Sequence, residues 1–191
     1  MKLLEERILQ DGTVRPGGIV KVDRFLNHQI DVSLLDEMGK EFYRLFQNDG
    51  VTKILTVEAS GIAIACLAAQ YFKVPVVFAK KSEAKNLDSE VYAAEVRSYT
   101  KGKVYTVRVS KSYLSKNDRV LIIDDFLANG EAVRGLRSIT EQAGATLAGV
   151  GIAIEKGFQP GGDQLRKEGV HLESLAIVEL TEEGGITFRA Q

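Results

Sequence analysis

The stretch Arg119-Val120-Leu121-Ile122-Ile123-Asp124-Asp125-Phe126-Leu127-Ala128-Asn129-Gly130-Glu131-Ala132 decides how this chain is read. Four apolar residues, Val120 to Ile123, run unbroken, and three of them are β-branched. That is the pattern of a strand buried on both faces of a parallel sheet. Asp124 and Asp125 close the run, the small-residue turn Ala128-Asn129-Gly130 follows, and a helical pattern starts at Glu131. A strand that delivers two acids and a backbone-rich turn to a helix N-terminus has the parts needed to hold a phosphorylated sugar. Turn N–H groups and the helix dipole can meet a phosphate. The carboxylates can accept hydrogen bonds from ribose hydroxyls or hold the water shell of a magnesium ion.

Outward from this stretch, apolar runs and helical stripes alternate. Residues 2–10 form an amphipathic pattern ended by Asp11-Gly12, Arg15-Pro16-Gly17-Gly18 reads as a loop, and 19–22 as a short extended piece. The segment 23–31 has no clean period. Ser33 is the expected cap of a helix whose stripe is Leu34, Leu35, Met38, Phe42, Leu45 and Phe46. A strand at 53–57, a turn at Glu58-Ala59-Ser60-Gly61 and a helix over 62–72 follow; that helix is apolar on most sides, which predicts burial, Cys66 included. A second strand is read at 74–79 and a polar, basic stretch at 80–86. Strands at 91–97 and 103–110, joined by a bend at 98–102, suggest an arm leaving the main sheet. Beyond the central stretch come a helix to Ala143 closed by Gly144, a strand from Leu147 ending in Glu155-Lys156, a short helix at 163–168, and closing strands at 170–178 and 186–189. This order predicts a single α/β domain over 1–191 with a mostly parallel central sheet flanked by helices. In such folds ligands gather at the C-terminal strand ends, which here carry Glu58 to Gly61, Lys80-Lys81, Asp124 to Gly130 and Glu155-Lys156.

Bulk composition narrows the classes. Of 191 residues 45% are hydrophobic and 27% charged, and 25 Lys and Arg nearly cancel 26 Asp and Glu. Such a balance gives no general attraction to nucleic acid or anionic membranes. One cysteine excludes an internal disulfide and a cysteine zinc site. Glu5, Glu6 and Arg7 interrupt the first ten residues, and no apolar run reaches membrane-spanning length. A cytoplasmic protein is the expectation.

The pattern of β-residues followed by Asp-Asp-x-x-Ala-Asn-Gly and a helix closely resembles the phosphoribosyl-pyrophosphate (PRPP) signature of the purine and pyrimidine phosphoribosyltransferases. Ala128 stands where hypoxanthine–guanine enzymes of that family place a base-contacting aspartate. Asn129 and Ala132 stand where many members carry Thr or Ser hydroxyls, so phosphate binding must rest more on backbone N–H groups and the Asn129 amide. Glu131 suits the helix dipole but must point away from the phosphate. Glu58-Ala59-Ser60-Gly61 resembles the family's pyrophosphate loop, and the bend Ser98-Tyr99-Thr100-Lys101 its lid. Three further pieces narrow the resemblance to the xanthine-using members of the family in Gram-positive bacteria. They are Val22-Asp23-x-Phe25-Leu26-Asn27-His28-Gln29-Ile30-Asp31, Asp124 to Gly130, and Ile154-Glu155-Lys156-x-Phe158-Gln159-Pro160-Gly161.

The resemblance implies a type I phosphoribosyltransferase fold with a hood, from about 1–32 and the C-terminal strands, and a flexible arm over about 80–110. It implies transfer of ribose 5-phosphate from PRPP to xanthine, giving XMP and pyrophosphate, with Mg2+ carried by PRPP rather than by a protein site of its own, and a homodimer. Asp124 and Asp125 would act on the ribose, Ala128, Asn129, Gly130, Glu131 and Ala132 on the 5-phosphate, and Ala59, Ser60 and Gly61 on pyrophosphate. Val20, Asn27 and Lys156 would bind the base; Val20 replaces the usual leucine, which loosens one apolar contact. Lys156 makes chemical sense by itself, because an ammonium only donates and so selects a carbonyl oxygen over an amino group. Two other readings stay open on sequence: a PRPP-sensing regulator without catalysis, and the same enzyme class preferring guanine or hypoxanthine.

Overall fold

The computed structural model describes residues 1–82, 90–98 and 103–190. In chain order the elements are α1 (Lys2–Asp11), β1 (Thr13–Arg15), β2 (Ile19–Lys21), a single π-turn (Asp23–Asn27), α2 (Val32–Phe46), β3 (Lys53–Val57), α3 (Ser60–Phe72), β4 (Val76–Ser82), β5 (Val91–Ser98) and β6 (Lys103–Ser110). They continue with β7 (Arg119–Leu127), α4 (Glu131–Gln142), β8 (Thr146–Lys156), α5 (Gly161–Lys167), β9 (Leu172–Leu180) and β10 (Ile186–Phe188).

Eight strands form one sheet in the order β10-β9-β8-β7-β3-β4-β6-β5. The five inner strands, β9 to β4 in that order, run parallel. The strands β10, β6 and β5 join antiparallel. The sheet is therefore mixed, with the expected parallel centre. Strand β7 lies in the middle and its side chains alternate between two cores, as the period of a strand requires. Leu121 and Ile123 join the core under α1, α2 and α3. Val120 and Ile122 join the one under α4. All four are fully buried.

Close approach sets two glycine positions. A Cβ on Gly39, in the middle of α2, would lie 2.8 Å from the Leu67 carbonyl oxygen, so α2 and α3 touch backbone to backbone. A Cβ on Gly151 of β8 would meet the Phe42 ring at 2.8 Å, so that ring rests directly on the sheet.

Several local expectations change. Helix α2 starts two residues earlier than Ser33 implies and is capped by Asp31, whose carboxylate accepts from Leu34 N–H at 3.1 Å. Asp31 also takes Arg7 Nη1 at 2.9 Å. Helix α3 buries Ile64, Ala65, Ala68 and Ala69 on one side only, and Cys66 faces solvent rather than the core. The loop expected at 15–18 is the turn of a hairpin, with Val14 paired to Val20. The segment 23–31 holds the π-turn, and β4 runs on through Lys80 and Lys81 instead of ending at Ala79. The strands expected to leave the sheet as an arm form its edge: Val96, Val107 and Val109 are buried in the core under α4. The bend residues Tyr99, Thr100 and Lys101 lie outside the described residues.

At the hood, Val20, Val22, Phe25 and Leu26 share one core with Leu4 and Ile8 of α1 and with Leu175, Ala176 and Val178 of β9. The Met1 ammonium donates to the Leu175 carbonyl, which ties the first residue to the C-terminal strands.

Gly39→Ala should cost ~1–3 kcal/mol by overpacking, which is roughly 3–10 °C in Tm for a domain of this size. A melt of the variant that matched the wild type would contradict the backbone contact between α2 and α3.

Candidate active site

Four parallel strands, β3, β4, β7 and β8, end on the same side, and the site is built on those ends. Strand β7 continues through Asp124 and Asp125 to Leu127, pairing Asp124 with Ile152 and Leu127 with Glu155 of β8. The acids are therefore strand residues and leave β7 on opposite sides. Asp124 is buried at 4% exposure, while Asp125 is half-buried. Asp125 N–H donates to Asp124 Oδ1 at 3.0 Å. Burial first, and the Asp125 charge second, push the Asp124 carboxyl well above the usual carboxylate range.

Gly61, at the start of α3, is what allows the close packing here. A Cβ on it would fall 2.2 Å from Thr56 Oγ1 and 3.0 Å from Asp124 Oδ1. It packs on the acid rather than lining the open cleft. Ala59 and Ser60 do line it, with Glu58, Lys81, Tyr105, Asp124, Asp125 and Ala132. The Glu58–Ala59 peptide is cis. The Glu58 carboxylate accepts from Lys81 N–H at 2.6 Å, tying this loop to the end of β4. The Lys81 ammonium stands 5.2 Å over the Tyr105 ring.

A second cleft of about 190 Å3 adjoins the first, and Tyr105 and Ala132 line both. Ala128, Asn129, Gly130, Glu131 and Ala132 form one wall, and Phe126, Lys156 and Gln159 another. Gly130 precedes α4 with φ 86°, a left-handed conformation that glycine adopts without cost. It turns the chain so that the first N–H groups of α4, which have no acceptor inside the helix, face outward. Lys156 ends β8, half-buried, with its ammonium 5.7 Å over the Phe126 ring. Burial pulls its pKa below the ordinary lysine value. Its neighbour Glu155 is buried at 1% exposure, and Arg166 of α5 meets it through two hydrogen bonds at 2.8 and 2.7 Å. Ser174 Oγ donates to the same carboxylate.

The hood reaches the site through Asn27, whose Nδ2 donates to Asp125 Oδ2 at 2.5 Å. Its Oδ1 is buried without a partner. The structure thus brings together Asp124, Asp125, Ala59, Ser60, residues 128–132, Lys156 and Asn27. It places Val20 elsewhere: that side chain is 6% exposed inside the hydrophobic core and lines neither cleft. Tyr105, Phe126 and Gln159 also line the clefts, and nothing local in the sequence marks them as site residues. Tyr105 was legible only as one face of a strand, because the β4–β6 pairing that brings it over the acids joins residues far apart in sequence.

Among the described residues no three His, Cys, Asp or Glu side chains converge as a metal site. Two adjacent carboxylates, one of them buried, suit a cation that arrives already held by its ligand's oxygens and water.

Comparison with known proteins places this arrangement. The phosphoribosyl transferase domain family matches residues 21–168, and the chain belongs to that family. Over its length the chain is similar to the xanthine phosphoribosyltransferase of Ruminiclostridium cellulolyticum, at 61% identity over 98% of this chain and 99% of that one. It is also similar to that of Clostridioides difficile, at 57% identity over 99% and 100%. Among solved structures, adenine phosphoribosyltransferase from Thermoanaerobacter pseudethanolicus shares the fold with a TM-score of 0.74 at 21% identity, over 90% of this chain and 98% of that one. The type I phosphoribosyltransferase fold is thereby established, with its mixed sheet flanked by helices.

Asp124 gives this site a stability signature. Its carboxyl binds a proton more tightly folded than unfolded, so stability declines as pH rises from about 4, the unfolded value, through the raised folded one. Asp124→Asn should therefore raise Tm by roughly 2–5 °C at pH 8, with a smaller gain at pH 5, while activity falls. An Asn variant less stable than wild type at pH 8 would contradict the buried, unpaired acid.

Proposed function

We propose that this chain transfers ribose 5-phosphate from PRPP to the N9 atom of xanthine, releasing XMP and pyrophosphate in purine salvage. The observation that carries the reading is the pair of adjoining clefts, one lined by the two strand-end acids and the other by a phosphate-type helix start and a half-buried lysine. The full-length similarity to xanthine phosphoribosyltransferases supports xanthine as the base. Neither of these relatives is named as a regulator or a guanine enzyme.

In this reading the N–H groups of 128–132 hold the 5-phosphate, and Asp124 and Asp125 accept hydrogen bonds from the ribose hydroxyls. Ala59 and Ser60, with the Lys81 ammonium beside them, face the pyrophosphate, and Gly61 acts behind them by letting the start of α3 pack on Asp124. As the bond from ribose C1 to the leaving oxygen breaks, positive charge grows on the ribose ring. The two acids and the enclosing walls meet that charge by position rather than by covalent chemistry. Asp124 and Asp125 would hold the water shell of a magnesium ion carried by PRPP, which would supply positive charge to the pyrophosphate. Lys156 donates to an exocyclic oxygen of the base, and Asn27 contacts the base while tying the hood to Asp125. Val20 acts on the base only through the hood core that it fills. Homodimerisation and a cytoplasmic location belong to the same reading. The dimer rests on the resemblance alone and the location on the lone cysteine; among the described residues no helix is long and apolar enough to cross a membrane.

With PRPP and magnesium, xanthine should be used at least tenfold more efficiently than guanine, hypoxanthine or adenine, read as kcat/KM. Equal use of guanine would overturn xanthine as the base. Lys156→Met should raise the KM for xanthine roughly 10–100-fold, the worth of a charged hydrogen bond, and leave the KM for PRPP within about twofold. Asp125→Asn should do the reverse. Base affinity should fall at alkaline pH with a midpoint below the usual lysine value of ~10.4, because burial lowers the Lys156 pKa.

A further inference from the structure

The loop proposed to hold the 5-phosphate lacks the hydroxyls at 129 and 132 that would grip a phosphate directly, so its peptide planes must be oriented by something else. Two contacts do this from behind. The Ala128 carbonyl accepts from Gly161 N–H at 3.1 Å, at the start of α5. The Asn129 carbonyl accepts from Arg134 Nη1 at 2.8 Å. Both carbonyls are thus drawn to the side away from the cleft, and the N–H of the following peptide is turned the other way by the planarity of the peptide unit.

Arg134 is itself held. Its Nη2 donates to Gln164 Oε1 at 3.0 Å and Glu168 Oε1 at 3.2 Å, and Glu131 Oε1 lies 3.9 Å from Nη1. The packing is tight: a Cβ on Gly130 would lie 2.8 Å from Arg134 Nη1, and one on Gly161 2.3 Å from the Ala128 carbonyl oxygen. We propose that Arg134, with Gly161, is a positioning residue that presets the backbone of 128–130 for the 5-phosphate of PRPP and stands in for the missing hydroxyls. The inference rests on the reading of that loop as the PRPP phosphate site.

Arg137 provides a control on the same helix. It also bridges α4 to Glu168, at 3.0 Å, and pairs with Glu141, but it has no contact with the loop carbonyls. Arg134→Met should raise the KM for PRPP tenfold or more while the KM for xanthine stays within twofold. Arg134→Lys should recover part of the loss, since an ammonium keeps the charge and one donor without the fork. Gly161→Ala should shift the PRPP KM the same way by pushing on the loop from α5, and Arg137→Met should leave it within twofold. The proposal is overturned if Arg134→Met leaves the PRPP KM unchanged, if both substrate KM values rise together, or if Arg137→Met reproduces its effect, since a general bracing of α4 to α5 would then explain it. A wild-type chain that does not consume PRPP would instead overturn the reading on which the proposal rests.

Discussion

A carboxyl group held out of water is the constraint on which the site turns. Asp124 lies at 4% exposure, packed against Gly61 at the start of α3, with Asp125 directly after it. Burying an acid this way is unfavourable, and the neighbouring charge makes it more so. The fold can maintain it because β7 is anchored on both faces: Leu121 and Ile123 are sunk in one core, and Val120 and Ile122 in the other. A strand fixed that firmly can carry a destabilising pair at its end and still hold it where a ribose would lie.

The other parts are arranged around this end by contacts that work mainly from behind. Arg166 neutralises buried Glu155 and so steadies the end of β8, from which Lys156 projects. Arg189 donates to the Gly157 carbonyl at 2.8 Å and to Glu179, which fixes the turn just after that lysine. Asn27 joins the N-terminal hood to Asp125, and the hood is in turn packed against β9. The proposed sugar, phosphate and base subsites thus share one frame, which is what catalysis by positioning requires.

Much of this was legible in the sequence, because the informative signals were local. The unbroken run at 120–123 announced a strand buried on both faces, and the acids, turn and helix start after it suggested the phosphate site proposed above. The stripe from Leu34 to Phe46 announced α2. The misreadings share a cause: they depended on partners distant in sequence. Cys66 sits in an apolar helix, yet only the contacts with α2 and β7 decide which face of that helix is covered. Tyr105 reaches the site through the antiparallel pairing of β4 with β6, which no local pattern encodes, whereas Lys81 lies at the strand end where the sequence placed it. Ser33 was a reasonable cap, but Asp31 lies one residue before the first helical residue, and its carboxylate also gains Arg7.

Product identity tests the central claim most directly. The purified chain, mixed with PRPP, magnesium and xanthine, can be followed by phosphorus NMR. The account expects PRPP to disappear while pyrophosphate and xanthosine 5′-monophosphate appear in equal amounts, and only when xanthine is present. PRPP that binds but persists unchanged beside xanthine, or that yields pyrophosphate with no nucleotide, would contradict it.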